Sequence, residues 1–161
     1  MYGRLFASAV SAVVVGFAGM ANAANVTSIN PQSLVQALQN NGYKAVLSKT
    51  DDGDPIIQTS SDGNTIVIVM TDCKDHKACT TTEFVGVWDC SESVEKCRQV
   101  ALASNASESP VHILMSDDGK TATTYSYLLY DEVGISEALF VKNLVTFNHY
   151  HIQFSADVAQ K

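Results

Sequence analysis

The stretch NTIVIVMTDCKDHKACTTTEFVGVW, Asn64 to Trp88, decides how this chain folds. Its ends, NTIVIVM (Asn64 to Met70) and TEFVGVW (Thr82 to Trp88), are short runs rich in β-branched and aromatic residues, which suit strands. Between them, Cys73, His76 and Cys79 stand three apart. That spacing can hold a metal, and the same two cysteines can close a disulfide. The compartment decides between these chemistries, and the amino terminus points to the compartment.

The chain opens MYGRLFASAVSAVVVGFAGMANAAN. Arg4 precedes an apolar run from Leu5 to about Ala18, and Ala21-Asn22-Ala23 follows. A basic start, a short apolar run and an A-x-A site predict a secretory signal peptide over residues 1–23, cut after Ala23. The run of about fourteen residues falls short of the ~20 that span a bilayer, which disfavours an uncleaved anchor. Cutting 23 of 161 residues leaves 138, the expected single domain 24–161, long enough for its own core. Without Arg4 the chain keeps 9 basic and 17 acidic residues, a formal charge of −8. Such a chain repels phosphate backbones and has no Lys/Arg cluster to offset this, so no nucleic-acid partner is expected. Stable membrane insertion after cleavage is not expected either. The predicted location is periplasmic or secreted, where thiols oxidise.

All four cysteines, Cys73, Cys79, Cys90 and Cys97, follow the predicted cut. An even count in an exported chain reads as two disulfides. If the two strands pair antiparallel, Cys73 and Cys79 meet at the neck of their connection. Cys90 is then carried to the opposite end of the hairpin, ~17 Å away at the rise of a strand. Disulfides tolerate Cα separations only up to ~7 Å. Cys73–Cys79 is therefore expected, and Cys90–Cys97 follows by elimination. Residues seven apart in one helix are ~10 Å apart along its axis, so Cys90 must precede the helix that SESVEKCRQVALAS implies, capped by Ser91 or Ser93. Zinc on Cys73, His76 and Cys79 needs reduced thiolates and a fourth ligand, from Asp72 or Asp75. The paired C-x₂-C signature is missing. No metal and no cofactor are expected.

Upstream, SINPQSLVQALQNNGY predicts a first helix capped by Asn30, with Pro31 at its first position and Gly42 at its end. Asp51-Asp52-Gly53-Asp54, Ser61-Asp62-Gly63-Asn64 and Asp117-Asp118-Gly119 predict tight hairpin turns, because Asp, Asn and Gly accept positive φ. An EF-hand reading from Asp51 fails: Ile56 and Asp62 stand where Gly and Glu are needed. Near the end, Phe140, Leu144, Phe147, His151, Phe154 and Val158 recur at helical steps behind Ser136, a candidate cap. His149 and His151 point apart on such a helix, so a shared metal is not expected. The sequons at Asn25 and Asn105 are read as chance. The fold class is α+β: an antiparallel β-sheet packed by helices, in the order α-β-β-β-β-α-β-β-α.

This order of motifs resembles the YbjN family, labelled bacterial sensory transduction regulators. The resemblance is carried by Gly42-Tyr43, Gly53-Asp54-Pro55 with Ile56-Ile57, Asp62-Gly63, Asp72-Cys73, and Cys79 shortly before Phe84. Gly134, Ile135, Ser136, Phe140, Leu144 and Phe147 carry it near the carboxyl end. It spans residues 31 to 88 closely and 117 to 155 more loosely. It implies a fold like that of type III secretion chaperones. Where the family often has a helix with Asn and Trp, this chain has CSESVEKCRQVALASNASES, so a function tied to that helix does not carry over. The regulator label names no chemistry and no catalytic residue.

Catalytic signatures are missing from the residues themselves. There is no G-x-S-x-G, no H-E-x-x-H and no glycine-rich phosphate loop, so no catalytic residue is assigned. In TATTYSYLLY, Tyr125, Tyr127 and Leu129 share one strand face, and Thr124, Leu128 and Tyr130 share the other. One face must meet the helices, which leaves Tyr125 and Tyr127 as a candidate partner surface. The expectation is a non-catalytic binding, regulatory or chaperone-like module of the cell envelope. Its partner is another protein or a second copy of itself. The alternative is a small-molecule or envelope-stress sensor with ligand held between helix and sheet.

Overall fold

The computed structural model describes residues 25–160, so the predicted signal peptide and its cut lie outside the described residues. The hairpin expected over Asn64 to Trp88 is formed. Strand β4 (Asn64–Thr71) pairs antiparallel with β5 (Thr81–Asp89), with Val67 opposite Val85 and Thr71 opposite Thr81. Before it come β1 (Asn25–Val26), helix α1 (Pro31–Asn40), β2 (Ala45–Lys49) and β3 (Pro55–Ser61). After it come α2 (Val94–Asn105), β6 (His112–Met115), β7 (Thr121–Leu129), β8 (Ile135–Ser136) and α3 (Glu137–Ala159). The expected order is present with two additions, β1 and β8. These two-residue strands pair with each other and are too short to show any periodicity.

Six strands form one antiparallel sheet in the order β2-β3-β4-β5-β7-β6. Turn chemistry sets the first hairpins. Asp62 and Gly63 hold φ of +50° and +83° between β3 and β4, the pair of left-handed residues that a two-residue turn needs. The chain then crosses through α2 to the far edge, lays down β6, and returns as β7 beside β5. The free edge of β6 is covered by a side chain: Asn105 donates to the Ile113 carbonyl at 2.8 Å and accepts its N–H at 2.9 Å. An edge bridged this way is a poor template for another strand.

The helices begin and end where their residues dictate. Pro31 occupies the first turn of α1, and Gly42 follows its end at φ +84°. Asn30 sits at the cap position without a side-chain cap bond. In α3 the Ser136 hydroxyl accepts the Leu139 N–H at 3.2 Å, satisfying one of the free donors of the first turn. Cys90 precedes α2, whose cap position is Ser93. The sulfurs join as Cys73–Cys79 (2.08 Å) and Cys90–Cys97 (2.13 Å).

The helices pack on one face of the sheet. Leu34 and Leu38 of α1 and Phe140, Leu144 and Phe147 of α3 are buried with Ile57, Ile66, Ile68, Met70 and Phe84. The Phe84 ring lies 5.8 Å from that of Phe140 and 5.9 Å from that of Phe147. Each such side chain contributes roughly 1.5–3 kcal/mol through the apolar area it removes from water. A second cluster under α2 joins Cys90, Cys97, Ala101, Ile113, Ala122 and Phe154, with Trp88 and Val158 against it.

Candidate functional site

Because side chains alternate along a strand, covering one face of the sheet leaves the other to solvent. The register lines its residues up in rows. One row runs Ser48, Ile56, Val69, Glu83, Tyr127 across β2, β3, β4, β5 and β7. The next runs Val46, Gln58, Val67, Val85, Tyr125, His112 and reaches β6. Val87 and Leu114 extend the apolar band, 61% and 58% exposed. Tyr127 and Leu129 are 57% and 73% exposed, while Tyr130, one residue beyond β7 and turned the other way, is 7% exposed. Tyr125 and Tyr127 thus stand on the helix-free face. Their rings meet edge to face at 5.5 Å, and His112 lies 5.7 Å from Tyr125.

Glu83 sits within this band, half-buried between Val69 and Tyr127. Burial pushes its carboxyl above the ordinary glutamate range, partly offset by the neighbouring Tyr127 hydroxyl. Among the described residues, no Lys, Arg or His lies within ion-pair distance of it. His76 instead meets Asp54, its Nδ1 2.8 Å from Oδ1, at the end of the sheet where β3 begins. Cys73 and Cys79 are bonded to each other, and His76 turns to the β2–β3 turn. Asp72, Asp75, His76 and Ala78 hold φ between +48° and +57° in this loop, a conformation that costs a non-glycine residue about 1 kcal/mol or more. The Ser28 hydroxyl, bonded to the Cys79 carbonyl at 2.5 Å, ties the loop to the segment before α1.

A shallow opening of about 310 Å³ lies where β4 and β5 part, lined by Gly63, Asn64, Thr65, Val67, Val85, Val87, Trp88 and His151. His151 comes from α3 and is 3% exposed. A Cβ on Gly86 would stand 2.7 Å from His151 Nδ1, so the glycine makes room for the imidazole beneath the sheet. The Thr124 hydroxyl donates to the Gly86 carbonyl at 3.2 Å and lies 2.8 Å from Nδ1. The hydroxyl has one hydrogen for these two contacts, and together they fix the imidazole beneath the sheet. Burial holds His151 below its ordinary value, and the ring is neutral. On the helical side, a cleft of about 490 Å³ between α2 and β6 is lined by Arg98, Leu102, Asn105, Ile113 and Met115.

The sequence reading found the tyrosine pair but missed Glu83 and the valines that continue the band. NTIVIVM is apolar at nearly every position, so its alternation does not reveal which valines face outward. The available signal was Glu83 itself, an acid inside a strand pattern.

The architecture is an α+β layer of three helices on one side of an antiparallel sheet. No family model and no curated protein matches the chain. Solved structures similar to it include the following two. An uncharacterized protein from Methanothermobacter thermautotrophicus is 10% identical with a TM-score of 0.62, over 79% of this chain and 94% of that one. YbjN, "a putative transcription regulator from E. coli", is 16% identical with a TM-score of 0.56, over 83% of this chain and 92% of that one. The fold is YbjN-like.

Proposed function

We propose that this chain is an exported, non-catalytic member of the YbjN family that binds a protein partner on the helix-free face of its sheet. The observation that carries this reading is the exposed band of Val46, Val87, Leu114, Tyr127 and Leu129. Apolar and aromatic groups gathered on one uncovered face mark an interaction surface more often than chance exposure does. A chaperone-like role, holding an extended segment of another protein in the cell envelope, fits that flat surface by analogy of fold. Two disulfides fit an oxidising compartment, and among the described residues no helix is long and apolar enough to cross a membrane. A pull-down from periplasmic extract with the intact chain and a Val87→Asp variant tests the reading. A polypeptide retained by the first and lost by the second supports it. Equal recovery, or none, counts against it.

The second reading, a small-molecule or envelope-stress sensor, draws on the cleft between α2 and β6. A ligand bound there raises the melting temperature by mass action, and Val87→Asp leaves that rise intact.

A further inference from the structure

The helix-free face has one charged group in the middle of its apolar band. Glu83 stands in register with Ile56 and Val69 on one side and Tyr127 on the other. The outward strand positions on this face hold no lysine or arginine, and none from elsewhere among the described residues reaches the carboxylate. We infer that this face takes a polypeptide segment presenting arginine between aliphatic side chains, the guanidinium meeting Glu83 and lying against Tyr125 and Tyr127. This rests on the binding reading above and adds the chemistry of the partner.

Three observations select that partner. The Glu83 carboxylate is partly withdrawn from water and has a tyrosine hydroxyl rather than a cation beside it, so a cation brought by a partner is favoured there. An arginine suits this position better than a lysine. Its planar fork bonds a carboxylate through two N–H groups and stacks on aromatic rings, and the Tyr125–Tyr127 pair provides those rings beside Glu83. The surrounding valines and leucines call for aliphatic neighbours on the partner. A second copy of this chain fits poorly. Two-fold packing sets the same patch against itself, and this patch carries an acid and no strong base. The chain's formal charge of −7 adds long-range repulsion between copies and attraction to basic segments.

The experiment is a calorimetric titration of the intact, oxidised protein with a short peptide alternating leucine and arginine. Its control is the same peptide with citrulline, which keeps the shape and removes the charge. The arginine peptide is expected to bind about tenfold tighter than its control, with the advantage falling at high salt. Glu83→Gln should remove that advantage, bringing the two peptides to equal affinity. Tyr127→Ala should weaken the arginine peptide without altering the far-ultraviolet spectrum. Equal binding of the two peptides that Val87→Asp abolishes overturns the arginine assignment while keeping the face as a binding surface. Binding of neither peptide, with a dimer in solution that Val87→Asp dissociates, overturns it in favour of a second copy. Binding insensitive to all three variants overturns both this inference and the reading beneath it.

Discussion

Phe84 and Val85 are neighbours in β5, and they lie in different surroundings. Phe84 is 1% exposed and meets two phenylalanines of α3, whereas Val85 faces outward in a row with Val67 and Tyr125. The same contrast runs across the whole sheet. Ile57, Ile66, Ile68 and Met70 are sealed beneath helices, while equally apolar residues one position along have no cover. Stability therefore resides on one face, and the other is free to serve a different purpose.

The largest effect should come from the covered face. Phe84→Ala removes a ring packed on two others and is expected to cost about 3–5 kcal/mol in urea unfolding. Val85→Ala in the same experiment should cost less than about 1 kcal/mol. Similar losses for the two would break the contrast.

Next comes the staple under α2. Replacing Cys90 and Cys97 together by serine opens a loop of sequence separation 7 and should cost about 2–3 kcal/mol by the chain-entropy model. Both cysteines are buried in the second cluster, so the loss should exceed that of any outer-face substitution. A midpoint indistinguishable from the parent would show that the cluster holds without its bridge.

Gly86 sharpens the comparison because His151 of α3 occupies the space a side chain at this position would need. A methyl there meets the His151 ring and the Thr124 hydroxyl, at 2.7 Å and 2.9 Å. Gly86→Ala should cost about 1–3 kcal/mol through overpacking, unlike a substitution on the open face. An unchanged melting temperature would mean that α3 yields easily.

The smallest effect is a dependence on pH. His151 is held neutral by burial, with its pKa below the ordinary value of about 6.5. The unfolded chain thus takes up a proton more readily than the folded one. This contribution to stability is full above about pH 6.5 and is lost as pH falls through the folded value. His151→Gln should flatten that part of the profile. A profile of the same slope in the variant would assign it to another group.

Much of this architecture was legible in the residues. Asp-Gly and Gly-Asn turns, the Pro31 and Ser136 helix starts and the phenylalanine stripe of α3 are local signals, and each formed as its chemistry dictates. β1 and β8 were not legible, because two residues show no period and their pairing joins Val26 to Ile135 across the chain. The outer band was legible only at Tyr125 and Tyr127. A strand such as β4, apolar on both faces, hides which valines face out until the helices choose a side. The Gly86–His151 contact was hidden for a related reason. A glycine in a strand reads as a weakness until a distant helix supplies the group that needs its space.

The one-sided sheet is tested most directly by two tyrosines of neighbouring position. Tyr127 is 57% exposed on the open face, and Tyr130 is 7% exposed with its hydroxyl 3.2 Å from that of Thr82. Nitration of the native, isolated protein, read by peptide mass spectrometry, should modify Tyr127 rapidly and spare Tyr130 until the chain unfolds. Equal protection of both rings would mean that the outer face is already covered, and equal reaction would mean that the inner one is not sealed.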